Sequence, residues 1–402
     1  MSINVAPPAI ETNSAATTAA ETPKSGPGRR LGWAMSFTVL ALLLVFAVDM
    51  GLRAAIQIDA YRQSNRSWVW WMVKALRQNP NAEVAMCGSS LMVATVDETD
   101  ATYLNHTIDQ VLHWRCEYLE HCLLERNGHL VRTADLAMGG QMASDVYAVV
   151  TTLMHGAHQP KIVVWGIAPR DFVDSTFTYP NASETVRYMT RINGGKEIFT
   201  SGRSFWDRVE QTLDKAMWSY GNRDQVVFLQ HRILKGMLAR LGWNNLEEDN
   251  LPQKLRQYAD ENLAEDVGID HWGVAPYYKG MPFSDNRGEY KMRYNPFRPN
   301  NYQFQLHYFD KTLEFCRANH IRVVLVNMPL MKANMDLMPA GMYQNYLQDT
   351  ARVARGYGIS MLDLNKPGLF PDGYFRDYVH MNGLGGKKFW QIVLEHWPSQ
   401  SH

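Results

Sequence analysis

Three short apolar runs, at 82–87, 130–136 and 161–167, are separated by segments whose apolar residues recur at helical spacing. Runs of this length bounded by turn residues read as buried strands, and the order strand, helix, strand, helix, strand points to a parallel sheet with helical crossovers. Helical spacing covers 108–126, through Val111, Leu112, Tyr118, Leu119, Cys122 and Leu123, and returns at 143–155. The alternation stops near Pro169. It resumes with a helix at 304–319, a strand at 321–326, a helix at 341–357, a strand at 360–364 and a helix at 383–397. The pattern predicts an α/β fold, a three-layer flavodoxin-like sandwich around a five-stranded parallel sheet. The interruption at 172–300, dense in Pro, Tyr, Trp, Asn and Arg, reads as a cap insertion that is helical at 205–218 and 224–241 and has no sheet of its own.

The amino-terminal residues 1–28 are mostly Ala, Thr, Ser, Pro and Gly and cannot bury enough surface to fold, so a disordered tail is expected. No charged residue occurs from 31 to 48, and as a helix rising ~1.5 Å per residue that run reaches ~27 Å, close to the hydrocarbon thickness of a bilayer. The expectation is a single transmembrane anchor at 29–52. Its rival is a cleaved signal peptide, with Arg29 and Arg30 before the run and Val45, Phe46 and Ala47 as a small-residue cleavage site. Arg29 and Arg30 abut the run, which puts the amino terminus inside and the globular part outside the cytoplasm, periplasmic or at the cell surface. Residues 53–80 read as a juxtamembrane helix with Trp68, Trp71, Met72, Ala75 and Leu76 on one face. That face is either a headgroup-level belt or a surface packed on the globular domain.

Forty basic residues balance forty acidic ones, which argues against nucleic acid as a partner. Cys87, Cys116, Cys122 and Cys316 are too few and too scattered for a disulfide framework or a zinc site; they read as small buried apolar residues, with one bridge left open. No metal or cofactor is expected.

The run 82–87 ends in Gly88-Ser89-Ser90, and in open α/β sheets reactive groups gather at the carboxyl ends of strands. A charged stretch at 97–100 follows and reads as a turn. Far along the chain, Asp377-Tyr-Val-His380 precedes the last helix. A serine hydroxyl is a weak nucleophile that needs an adjacent base, and an imidazole base needs a carboxylate to fix its tautomer, which Ser90, His380 and Asp377 would supply. Each piece has a plainer reading. Gly-Ser-Ser occurs in ordinary turns, Asp377 to His380 can be a turn with Asn382 capping the next helix, and Asp363 is a rival acid.

In order along the chain, Gly88-Ser89-Ser90-Leu91, Gly139-Gly140, Gly166-Ile-Ala-Pro-Arg-Asp171 and Asp377-x-x-His380 resemble the blocks of the SGNH (GDSL-type) serine hydrolase superfamily. With the anchor, the chain is similar to the branch of DltD proteins of teichoic-acid alanylation and SGNH-like proteins of polysaccharide O-acetylation. The resemblance covers 80–172 and 304–397, in an α/β domain read at 81–171 and 301–402, and no motif of it falls in the cap. It implies Ser90 as nucleophile, with Ser89 where the family usually has aspartate, His380 as base, Asp377 as its orienting acid, and the N–H groups of Ser90 and Gly140 as oxyanion donors. It further implies an esterase or O-acyltransferase acting on O-acyl groups of an extracytoplasmic polysaccharide or envelope polymer. The expected partners are that carbohydrate or polymer ester, the membrane and a membrane-bound acyltransferase. The third block departs from the family, because Ala168-Pro169-Arg170-Asp171 lacks the asparagine that usually donates a third hydrogen bond. Either two donors suffice, or Arg170 as a substrate contact or a group from the cap replaces the third. The aromatics Trp206, Trp218, Trp272, Tyr277, Tyr278 and Tyr290 either face a sugar ring or fill the cap's own core. The alternative function is a catalytically inactive binding or assembly protein on the same fold.

Overall fold

The computed structural model describes residues 28–55, 68–176, 183–194, 196–199, 205–222 and 273–398, with Met237 and Arg240 as single positions. The chain divides into two units, 1–55 and 56–402. In the first, α1 (Gly28–Ala55) contains Ser36–Ala55, long and apolar enough to cross a membrane, with Phe37, Leu40 and Leu44 on its bare surface.

The second unit begins with α2 (Trp68–Gln78), β1 (Val84–Cys87), α3 (Ser90–Leu104), β2 (Ile108–Asp109), α4 (Glu117–Asn127), β3 (Thr133–Asp135), α5 (Ala143–Leu153), β4 (Ile162–Ile167) and α6 (Arg170–Val173). The described parts of the insertion hold α7 (Glu184–Ile192), α8 (Phe205–Ala216), α9 (Trp218–Gly221), β5 (Gly273–Val274) and α10 (Arg287–Tyr294). Then come α11 (Pro299–Ala318), β6 (Arg322–Asn327), α12 (Lys332–Met335), α13 (Met342–Gly356), β7 (Leu362–Asp363) and α14 (Gly383–Glu395).

Five strands form one parallel sheet in the order β3-β1-β4-β6-β7, with Val84 opposite Thr133 and Ile162, Val163 opposite Val323, and Val326 opposite Leu362. Every residue of β1 and β4 is buried, as strands covered on both faces require, and this is why they read as unbroken apolar runs. Helices form the outer layers, with α3 packed on α14 and α5 on α11. Trp165 of β4 meets Phe309 of α11 at 5.0 Å between ring centroids, and Phe172 meets Phe309 and Tyr346.

Local readings change in three places. The stretch 97–100 is not a turn: it lies inside α3, and Asp97, Glu98, Thr99 and Asp100 are all buried. Asp100 accepts the N–H groups of Glu117 (2.6 Å) and Tyr118 (2.9 Å), capping α4 from a neighbouring helix, and also binds His113 at 2.7 Å. The single helix expected at 108–126 is a two-residue strand, a turn and α4, because β2 pairs antiparallel with β5. That pair makes a small second sheet, where none was expected in the cap. The helix expected at 224–241 lies outside the described residues apart from Met237 and Arg240, and Trp272 and the side chain of Trp206 lie outside them too. α2 buries Val69, Met72, Val73 and Leu76 in the core of the second unit, so its apolar face packs on the globular domain. All four cysteines are free thiols.

α3 and α14 approach closely because α14 begins Gly-Leu-Gly-Gly. A Cβ on Gly383 would lie 1.9 Å from Thr102 Oγ1 and 2.6 Å from the Glu98 carbonyl oxygen; one on Gly386 would lie 2.0 Å from Thr99 Oγ1. Thr95 and Thr99 turn their hydroxyls back onto α3, to the carbonyls of Leu91 (2.7 Å) and Thr95 (2.5 Å), so they present no free polar group to α14. A methyl at either glycine forces the helices apart. We expect Gly383→Ala to destabilise by about 1 to 3 kcal/mol, the range for overpacked cores. Gly356→Ala, with nothing within 4 Å of its Cβ, should be neutral or slightly stabilising, since alanine outranks glycine in helices by about 1 kcal/mol. Thermal melts of the two variants check the contrast.

Candidate active site

The chain turns from β1 into α3 through Gly88 at φ +146 and Ser89 in the capping position. Ser89 O accepts the N–H groups of Met92 and Val93, leaving Ser90 as the first helical residue. Ser90 is half-buried, whereas Ser89 is 1% exposed, with its hydroxyl near Asp171 but without a hydrogen bond of ordinary length. Of the two serines, only Ser90 reaches the histidine.

His380 sits on a tight hairpin. Phe375 and Met381 pair as an antiparallel bridge, Arg376 N–H donates to His380 O at 2.9 Å, and Asp377 and His380 fall at the tip. Asp377 Oδ1 accepts the N–H groups of Val379 (2.9 Å) and His380 (2.8 Å), and its Oδ2 lies 2.6 Å from His380 Nδ1. Burial pushes the Asp377 carboxyl up, but its hydrogen bond to His380, the ring's charge and the two backbone N–H groups outweigh that and hold it below the ordinary aspartate value. An ionised carboxylate only accepts, so Nδ1 carries the proton and Nε2 of the neutral ring is left to accept. Its partner is the Ser90 hydroxyl, at 2.9 Å across 290 residues of chain.

The hairpin is the capped turn that the sequence admits, and the same turn brings His380 against Asp377 and Ser90. Asn382 caps α14 by accepting from Leu384 and Gly385, while Asp377 orders the hairpin and the ring together. Asp363 instead accepts from Asn327 Nδ2 at 2.7 Å and from the Asn365 N–H, and it makes no contact with His380.

The glycine block is tied to the nucleophile strand. Leu136 N–H donates to Met86 O and Met138 N–H to Gly88 O, and Gly140 follows at φ +83. Trp68 of α2 lies against the block, since a Cβ on Gly139 would be 3.1 Å from its ring. Neither the Ser90 nor the Gly140 N–H has a hydrogen-bond partner among the described residues. A free N–H on the residue whose hydroxyl is poised on a base is suited to stabilising a tetrahedral oxyanion.

Arg170 has another role than the substrate contact the sequence admits. It is 3% exposed, and its guanidinium donates to Gly140 O, Gln141 O and Asp174 Oδ2, each at 2.8 Å. The remaining N–H of Nη1 faces Asp171 Oδ1 at 3.4 Å, so both terminal nitrogens are committed, and the group acts as a clamp on the glycine block. Asp174 also pairs with Arg293 of α10, across 119 residues. Asp171, whose carboxyl burial raises to about 6 against the opposing Arg170 charge, accepts the Ala168 N–H at 3.0 Å. The bonds of Arg170 to Gly140 and Gln141, the Arg376–Glu98 bond at 2.6 Å and the Trp68 contact carry no sequence signal, because each joins residues far apart in the chain.

No family model and no curated protein matches the chain. Among solved structures it is similar to a Bacteroides fragilis chain provisionally described as an acylhydrolase, at 12% identity and a TM-score of 0.33, covering 81% of this chain and 92% of that one.

Asp377→Asn keeps an acceptor for the two backbone N–H groups but presents an amide that favours the wrong imidazole tautomer. Losses of about 10⁴-fold in turnover with the fold intact are the measured outcome of such a change in a serine hydrolase triad. We expect a loss of that order in ester turnover here, with a melting temperature close to that of the parent.

Proposed function

We propose that the chain is a membrane-anchored serine esterase or O-acyltransferase of the SGNH type. The observation that carries this reading is the unbroken relay from Ser90 Oγ through His380 to Asp377, with spacings of 2.9 and 2.6 Å. In it, Ser90 attacks an ester carbonyl as His380 takes its proton, the Ser90 and Gly140 N–H groups hold the oxyanion, and the acyl group then passes to water or to an acceptor hydroxyl aligned with His380. The substrate is proposed to be an O-acyl group of a polysaccharide or envelope polymer outside the cytoplasm. Supporting this are the block resemblance, the apolar segment Ser36–Ala55 with arginines before it, and the exposed Tyr278 and Phe283 in the described insertion. A membrane-bound acyltransferase would supply the acyl group.

A second reading keeps the fold and removes the chemistry. It is favoured by the third block, where Ala168 and Pro169 offer no side-chain donor and Arg170 is committed to Gly140, Gln141 and Asp174. The two separate by experiment. Full-length protein in detergent should react covalently with a fluorophosphonate probe and turn over an activated acetyl ester. Ser90→Ala should lose both, by at least about 10⁴-fold in turnover, as removal of a serine nucleophile does, while Ser89→Ala keeps them. Parent protein inert to both reagents would favour the binding protein, and labelling lost only in Ser89→Ala would overturn the assignment of the nucleophile.

A further inference from the structure

Ala168 and Pro169 offer no side-chain donor at the end of β4, and the insertion brings α10 against both the His380 hairpin and the Arg170 cluster. α10 runs between the two parts of the site. Just before it, Ser284 N–H donates to Arg376 O at 2.9 Å and Ser284 bridges Asp377; at its start the Arg287 guanidinium lies 4.9 Å from the centre of the Tyr378 ring. Near its end, Arg293 pairs with Asp174, the carboxylate that also holds Arg170. Tyr290 falls three residues after Arg287 and three before Arg293, so helical spacing puts it on the shared face, between the triad hairpin and the arginine clamp.

The residue is 3% exposed, yet its hydroxyl makes no hydrogen bond among the described residues, and the oxygen is not sealed from solvent. The groups it senses electrostatically are Arg170, Arg293, Asp377 and Glu289. Burial raises the phenol's pKa, which the two arginines oppose and the two carboxylates reinforce, so the O–H remains a donor at any working pH. A donor on a buried ring, unbonded within the protein and open to solvent at its tip, is free to meet a ligand oxygen.

We propose that the Tyr290 hydroxyl is the third hydrogen-bond donor to the oxyanion, acting from the insertion where the family's asparagine would act from the sheet. The proposal rests on the reading of Ser90 as an acylated nucleophile. As Ser90 Oγ bonds to the acyl carbon, its proton moves to His380 Nε2 and the carbonyl π pair becomes the oxyanion. Tyr290 donates a hydrogen bond to that oxygen and transfers no proton. On collapse, the pair re-forms the carbonyl, and the leaving alkoxide takes the proton back from His380.

Tyr290→Phe keeps the buried ring and removes the donor. In full-length protein with p-nitrophenyl acetate, kcat should fall about 10²- to 10³-fold, the effect of deleting one oxyanion donor, with KM and melting temperature nearly unchanged. Inhibition by an alkyl boronic acid, which forms a tetrahedral adduct on serine, should weaken by a similar factor. A kcat within about threefold of the parent in Tyr290→Phe, or a loss confined to KM, would overturn the proposal and leave the Ser90 reading standing. Parent protein that neither hydrolyses the ester nor reacts at Ser90 would overturn both.

Discussion

The contact between α3 and α14 is the constraint on which the rest of the site depends. Ser90 is the first residue of α3 and His380 lies three residues before α14, so the spacing of these helices sets whether a hydroxyl can reach an imidazole. Glycine at 383 and 386 lets the backbone of α14 close onto Thr99 and Thr102. Across that seam, Arg376 reaches Glu98, binding the His380 hairpin to α3 by a charge-assisted bond at 2.6 Å. Burial raises the Glu98 carboxyl, and Arg376 opposes that shift, as a partner for an otherwise sequestered acid must.

Around this seam, charge organises what packing alone would leave loose. Arg170 turns two carbonyls of the glycine block toward itself, and Asp174 holds Arg170 while accepting from Arg293. The block, the end of β4 and the insertion therefore share one network. Single polar deletions there would leave a buried partner unpaired, which is the costly way to lose an interaction. The geometry of the glycine block and the position of α10 are in this sense one structural problem.

Much of the sheet was legible in the residues, since β1 and β4 are covered on both faces and their apolar runs had no competing explanation. The meeting of Ser90, His380 and Asp377 could be read from the block order. α3 could not: its run of Asp97, Glu98, Thr99 and Asp100 has the composition of a turn, and only the tertiary partners of Asp100 and Glu98, on α4 and the triad hairpin, explain acids in a buried helix. Asp97 is the extreme case, a carboxyl whose pKa burial raises far above normal, with Asp135 adding to the effect. The split of 108–126 into β2 and α4 was hidden because β2 pairs with β5, in the insertion. Arg170 looked available because two of its acceptors are the carbonyls of Gly140 and Gln141, which no side-chain pattern announces. Tyr290 stood among several cap aromatics, and its burial on α10 sets it apart from the exposed Tyr278.

The central claim is that Ser90, His380 and the two backbone N–H groups form one acyl-transfer centre. A crystal structure of the full-length protein after reaction with an alkyl fluorophosphonate tests it in a single measurement, because the adduct mimics the tetrahedral state at the atom attacked. The account predicts phosphorus bonded to Ser90 Oγ, with one phosphonyl oxygen within about 3 Å of both the Ser90 and Gly140 nitrogens, the geometry expected of oxyanion donors. An adduct on any other residue, or on Ser90 with that oxygen turned to solvent, would contradict it.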